Sequence, residues 1–207
     1  MNAFQANRDF EKSISEYTGA SFVVVVNSAT SALQLALEWY RVNGGTKAII
    51  PERTYRSVAN MILRTGLYLE FIDEEWRGIY NIRPSNIWDC ALRLKPKMYV
   101  PGTVQCLSFH PQKPLALSSG GGAILHDDPE ADKFYRLDRF DGREEGISIL
   151  KSSWEIVGAH CYMFPGQAGE GAQKMEIYAT RYPDDAPDTE QPEYENLREK
   201  WEEYKPR

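Results

Sequence analysis

The chain has 207 residues, of which 42% are hydrophobic and 26% charged, and a formal net charge of −6. That balance is ordinary for a globular protein, and nothing in it points to nucleic-acid backbone as a partner. No apolar run is long enough to span a bilayer, and the start, MNAFQANRDFEKS, lacks the basic and apolar regions of a signal peptide. Cys90, Cys106 and Cys161 are widely spaced, odd in number and without C-x-x-C, which predicts buried thiols in a reducing compartment and a cytoplasmic protein. His110, His126 and His160 have no metal-ligand spacing, so no metal is expected.

In residues 8–18, Phe10, Ile14 and Tyr17 fall at i, i+4 and i+7, which predicts a helix stopped by Gly19. The run Phe22–Val26, FVVVV, predicts a strand buried on both faces, as in a parallel sheet. Asn27-Ser28-Ala29-Thr30 follows at once, and Leu33, Leu35, Ala36, Leu37, Trp39 and Tyr40 make an apolar helix behind it. These hydroxyls sit where a buried strand becomes a helix N-terminus, with free N–H groups and the positive end of the dipole. Two uses stay open: a phosphate cradle, or N-capping by Asn27 or Ser28. Asn43-Gly44-Gly45 ends the helix, Lys47–Pro51 is a short strand, and residues 52–57 form a loop before a helix carrying Val58, Met61 and Ile62. Tyr55 in that loop could stack on a ligand or simply pack. Leu67–Asp73 is the next strand.

Glu74–Ile87 is polar, with Trp76, Tyr80 and Pro84, and runs into Trp88-Asp89-Cys90-Ala91. Asp89 is either a functional carboxylate or a turn or cap residue. Thr103–Phe109 is a strand entering a turn with one lysine, Lys113, between Pro111 and Pro114. A lysine so placed is half-desolvated, which lowers its pKa toward an amine nucleophile and suits a Schiff base with an aldehyde such as pyridoxal phosphate. The plain alternative is a solvated lysine on a surface turn. Gly120–Gly122 predicts a tight turn before the strand Ala123–Leu125. Asp128 with Pro129 and Glu130 starts a helix running to about Arg139. Arg143–Ser153 reads as loop, and Gly166–Gly171 as a flexible turn before a helix over Ala172–Arg181. Asp184–Glu193 is Pro- and acid-rich and predicts disorder or linker. In the helical Tyr194–Tyr204 segment, Leu197, Trp201 and Tyr204 share a face that suits a partner.

Ser108-Phe109-His110-Pro111-Gln112-Lys113, followed by Ser118-Ser119-Gly120-Gly121-Gly122-Ala123, resembles the lysine segment of the DegT/DnrJ/StrS family, pyridoxal-phosphate-dependent sugar aminotransferases of fold type I. FEKSISEYTGASFVVVVNSATSALQLAL is similar to the opening of the same family, and Trp88-Asp89-Cys90-Ala91 to its acidic motif. The resemblance covers about residues 8–165, with its motifs in family order. It implies an α/β, three-layer αβα fold: a reduced large domain over residues 1–182, then an acidic linker and helix over 183–207, with the small C-terminal domain largely missing. It implies pyridoxal 5'-phosphate as cofactor, covalently held by Lys113, its ring nitrogen facing Asp89 beside Ala91. Ser28, Ala29, Thr30 and Ser108 would hold the phosphate, and Tyr55 would stack on the ring.

The family's Gly-Tyr-Asn-Tyr-Arg-Met, whose Asn reaches the neighbouring subunit's phosphate site, is matched only faintly by residues 158–163, with His160 at the Asn place. Leu92 stands where the family has Gln or His. The helix–strand–helix that members carry before the acidic motif is missing, which implies a smaller sheet or a gap filled by a partner chain. The implied function is amino transfer from an amino donor to a keto sugar, free or nucleotide-linked, by a homodimer. Two other functions stay open: decarboxylation or elimination on a non-sugar amine, and an inactive relative acting as a binding or assembly protein.

Overall fold

A computed structural model describes residues 4–204. Helix α1 (Gln5–Thr18) ends at Gly19, whose φ of 82° and N–H bond to the Ser15 carbonyl (2.8 Å) make the left-handed stop that glycine permits. Strand β1 (Phe22–Val26), helix α2 (Ala29–Val42), strand β2 (Lys47–Pro51), helix α3 (Arg56–Arg64) and strand β3 (Tyr68–Ile72) follow. Short strands β4 (Tyr80–Ile82) and β5 (Ile87–Asp89) lead to β6 (Val104–Ser108), β7 (Gly122–His126), α4 (Pro129–Asp138), α5 (Pro165–Arg181) and α6 (Leu197–Tyr204). The Asp128 carboxylate caps α4, accepting from the N–H groups of Glu130 and Ala131, with Pro129 in the first turn.

Strand alternation builds the three layers. In β1, Val24 and Val26 enter one core with Ala32, Leu35, Ile62, Cys106, Ile124 and Tyr135. Val23 and Val25 enter the other, with Phe10, Ile14, Leu107, Leu125 and Met175. Helices α2, α3 and α4 thus cover one face of the sheet, and α1 and α5 the other. The FVVVV run does record burial on both faces, but not strand direction. β1 pairs with the strand β7, antiparallel, and the five-stranded order is β1-β7-β6-β5-β4. Covering helices, rather than parallel neighbours, make the run continuously apolar.

Three further expectations are corrected. First, no partner chain is needed beside β5, because the chain's own β4 covers that edge. β4 pairs antiparallel with β5, Tyr80 opposite Asp89. Just beyond it Arg83 exchanges two backbone bonds with Ile49 of β2 (2.6 and 3.0 Å), so β4 joins the parallel β2–β3 pair to the larger sheet. Second, Gly166–Gly171 is helix, not turn: α5 starts at Pro165, and Gly171 lies where a Cβ would stand 2.4 Å from the Phe10 ring. Glycine there serves close packing of α5 on α1. Third, Asp184–Glu193 has no regular structure but is docked. Arg93 grips Asp188 through two bonds (2.8 and 2.6 Å), Lys95 pairs with Asp185, Thr189 donates to the Leu92 carbonyl, and Ala186 is buried. Local ion pairs hold what composition alone predicts to be loose. Leu197 of α6 packs into this chain's own core rather than awaiting a partner.

The last turn of α4 is tied to α1 by a buried ion network. Arg139, 1% exposed, donates to Glu11, Glu145 and the Val25 carbonyl, while Arg136 donates to Glu11, Asp132 and the Val23 carbonyl. The three cysteines are free and buried. Among the described residues no helix is long and apolar enough to cross a membrane.

Candidate active site

β5 and β6 run parallel, with Asp89 opposite Cys106, so their carboxyl ends open on the same edge of the sheet. In an open α/β sheet that edge is where ligands bind. Asp89 is the last residue of β5 and is 6% exposed. Its Oδ1 accepts the Ala91 N–H (2.9 Å) and its Oδ2 the Tyr80 hydroxyl (3.1 Å). Burial pushes the carboxyl pKa up, while the Ala91 N–H, the Tyr80 hydroxyl and the Lys113 ammonium pull it down.

Lys113 stands on the turn that follows β6. Its N–H donates to the His110 carbonyl (2.8 Å), and Phe109 anchors the turn, its N–H donating to the Gly121 carbonyl and its carbonyl accepting the Leu117 N–H (2.9 Å each). Burial lowers the Lys113 pKa and the Asp89 charge partly restores it. The parallel register of β5 on β6 puts Asp89 and the Lys113 turn at the same edge of the sheet, within range of each other's charge. Sequence reasoning placed both at one site, and the fold brings them together.

The third part of the site is the N-terminus of α2. Ser28 caps it, its Oγ accepting the Ser31 N–H (3.1 Å), and Ser31 donates to Asn27 Oδ1 (2.7 Å). Capping is thus observed, and it leaves the first-turn N–H groups at Ala29 and Thr30 without intrahelical partners. The Thr30 hydroxyl donates to Ser57 of α3 (3.1 Å). Ser108, at the end of β6, lies opposite Gly122 of β7. Gly122 passes so close to this helix end that a Cβ would stand 2.5 Å from the Ala29 nitrogen and from the Ser28 carbonyl carbon. Ser108, Gly122, Ser28 and Ala29 are thereby neighbours.

Tyr55 precedes α3 and is 62% exposed, a ring free on one side. Leu92 is buried and offers no side-chain donor. His160 is not brought to these groups: it is exposed, its Nδ1 meeting the Asp141 carboxylate at 2.9 Å, and its ring packs on Tyr162.

Four residues of the site carry no assignment from sequence. Tyr80 and Thr54 form a buried pair (2.8 Å between hydroxyls) behind Asp89. Trp76 packs on Tyr80 (ring centroids 4.6 Å apart) and stacks on Tyr194 from the C-terminal segment. The Tyr194 pKa is raised to about 12 by burial and by the charges of Asp89 and Tyr55. The signal for Tyr80 was the alternation Tyr80-Asn81-Ile82, short but strand-like.

A family model for the DegT/DnrJ/EryC1/StrS aminotransferases matches residues 2–90 and 100–180. The chain belongs to that family. Among its curated relatives, a UDP-4-amino-4,6-dideoxy-N-acetyl-beta-L-altrosamine transaminase of Campylobacter jejuni is 40% identical over 71% of this chain and 49% of its own length. The spore coat polysaccharide biosynthesis protein SpsC of Bacillus subtilis is 31% identical over 58% of this chain and 31% of its own. This family member therefore spans about half, or less, of the length of those relatives.

Two solved structures share the fold. DesV of S. venezuelae, in complex with a ketimine intermediate, superposes with a TM-score of 0.71 at 21% identity, over 85% of this chain and 57% of that one. NtdA of Bacillus subtilis, with bound cofactor PMP, gives 0.72 at 19% identity, over 86% and 49%.

Proposed function

We propose that the chain is a pyridoxal-phosphate-dependent aminotransferase that moves an amino group from an amino donor onto a keto sugar, with Lys113 as the covalent anchor of the cofactor. The observation that carries this is the meeting of Asp89 and Lys113 at the carboxyl ends of two parallel strands, beside an open helix N-terminus. The names of the relatives, UDP-sugar transaminases among them, support the substrate class.

The residues present fit the cofactor. A buried carboxylate with lone pairs to spare suits a protonated ring nitrogen. The helix end at Ser28, Ala29 and Thr30, with Ser108, suits a phosphate dianion. The exposed Tyr55 ring suits stacking on a flat ligand. Leu92 gives no partner to a ring hydroxyl, so that contact is not made from position 92. When bound, the cofactor supplies an electron sink for bond changes at the substrate's α-carbon. Lys113 Nζ, its pKa lowered by burial, would hold the cofactor's aldehyde, and as a free amine it would carry a proton to and from the substrate carbon. Asp89 holds the ring-nitrogen proton in place.

A homodimer accompanies this function. Ile149, Leu150, Trp154, Val157 and Phe164 expose a large apolar surface in and beside the 143–164 segment that carries His160, and a second copy would cover it. Leu92 and the altered motif around His160 favour one rival, a family member kept as a binding or assembly protein. The test is the purified full chain with added pyridoxal phosphate. A visible absorption band, and borohydride reduction that fixes the cofactor's mass on the Lys113 peptide, are the expected results. No band at saturating cofactor, or Lys113→Ala retaining normal turnover, would rule out the assignment.

A further inference from the structure

We propose that Tyr80, backed by Thr54, is the positioning residue for Asp89: its hydroxyl locks the carboxylate in one rotamer and keeps it ionised toward the ring nitrogen. The inference rests on the cofactor assignment above and adds to it a residue on β4, the strand at the edge of the sheet beside β5.

The geometry fixes the direction of every bond. Tyr80 lies directly opposite Asp89 across the β4–β5 pair and reaches Oδ2 at 3.1 Å. An ionised carboxylate only accepts, so Tyr80 donates. Its own oxygen then accepts from Thr54, 2.8 Å away, in the loop that also carries Tyr55. The chain Thr54 to Tyr80 to Asp89 is buried throughout and ends on the carboxylate. The Ala91 N–H takes the other oxygen at 2.9 Å. One lone pair on each oxygen stays free for a further donor, which a protonated pyridine nitrogen provides.

Without these donors, burial would leave a carboxyl that holds its own proton and has none of the charge needed to keep a ring nitrogen protonated. Burial and the adjacent Asp89 push the Tyr80 phenol pKa well above its ordinary value, so it stays a donor at any working pH. Trp76 packs on the Tyr80 ring and fixes its place independently of the hydroxyl. Removal of the hydroxyl alone therefore leaves the ring seated.

The test uses the full chain labelled with 13C at aspartate carboxyls. Asp89 is assigned by comparison with Asp89→Asn and titrated by NMR, with and without pyridoxal phosphate. In Tyr80→Phe the cofactor-free Asp89 midpoint is expected to rise by about one pH unit, and Thr54→Val to raise it by less. At a pH between the two midpoints, Tyr80→Phe is expected to bind pyridoxal phosphate about tenfold more weakly, a loss that shrinks as pH rises. Circular dichroism checks that the variants fold. A purely structural role for Tyr80 would move the unfolding midpoint and leave the Asp89 titration where it was. An unmoved Asp89 midpoint in folded Tyr80→Phe, or an unchanged cofactor affinity, overturns the proposal. The two failures are distinguishable. No cofactor band on the unmodified chain removes the cofactor assignment, while the cofactor-free titration still decides whether Tyr80 holds Asp89 ionised.

Discussion

Replacing Gly122 by alanine probes the contact between β7 and the N-terminus of α2. Gly122 does not need glycine for its backbone angles, since its φ is not in the positive range; the obstacle is space alone. The added methyl would stand 2.5 Å from the Ala29 nitrogen and 2.6 Å from the Ser28 oxygen. These are backbone atoms, so no rotamer change relieves the clash. Ordinary contact requires β7 and the helix end to part by roughly 1 Å, and overpacking of this kind costs about 1–3 kcal/mol. The same displacement moves the N–H groups and hydroxyls assigned to the phosphate. A misplacement of about 1 Å in a reacting site costs on the order of a hundredfold in rate.

Urea unfolding and a pyridoxal phosphate titration of Gly122→Ala measure both effects. Gly166→Ala, in α5 with open space around it, is the control, expected to stabilise by about 0.4–1 kcal/mol. A Gly122→Ala protein with unchanged unfolding midpoint would refute the packing argument. One that is destabilised yet binds the cofactor as before would refute the assignment of the cradle.

Arg139→Ala leaves Glu11 and Glu145 buried with less compensation and is expected to cost about 3–5 kcal/mol in urea unfolding; a loss under about 1 kcal/mol would show that the network is not closed as described. Burial and the neighbouring Glu38 raise the Asp138 pKa to about 8. The folded chain thus keeps a proton that the unfolded chain releases near pH 4, and stability falls as pH rises through this window. Asp138→Asn keeps an acceptor for the Ala159 N–H (2.9 Å) and is expected to flatten that fall, ending at least about 1 kcal/mol more stable than the parent at pH 8. Parallel stability–pH curves for the two proteins would exclude a raised Asp138.

The parts legible in the sequence are those where one residue type has few uses. The FVVVV run, the hydroxyl cluster after it, a lysine between prolines and an Asp at a strand end each narrow the choices, and the fold places Ser28, Ala29, Thr30, Ser108, Asp89 and Lys113 along one edge. Three features escaped because their cause is tertiary. The glycines of α5 look like a turn until Phe10 of α1 lies against Gly171. The acidic segment looks loose until Arg93 and Lys95 stand beneath it. Tyr80 looks like one more aromatic in a polar stretch until β4 pairs with β5 and sets its hydroxyl on Asp89. Within its own chain His160 contacts Asp141 and Tyr162, whereas the role the resemblance implies for it is toward a neighbouring subunit.

A shortened sheet can keep this site because the relation of Asp89 to Lys113 depends on one strand pair. The parallel register of β5 on β6 sets the two carboxyl ends level, and the turn after Ser108 does the rest. Strands beyond β5 only have to satisfy its free edge and cover its face. β4 does both with three residues: it supplies the antiparallel ladder, and Tyr80 and Ile82 go to the core. Its continuation, Arg83, then bridges to β2, so the loop carrying Thr54 and Tyr55 is held against Asp89 rather than left beside a gap. Three residues of β4 thus close the side of β5 and set the Tyr80 hydroxyl on the Asp89 carboxylate.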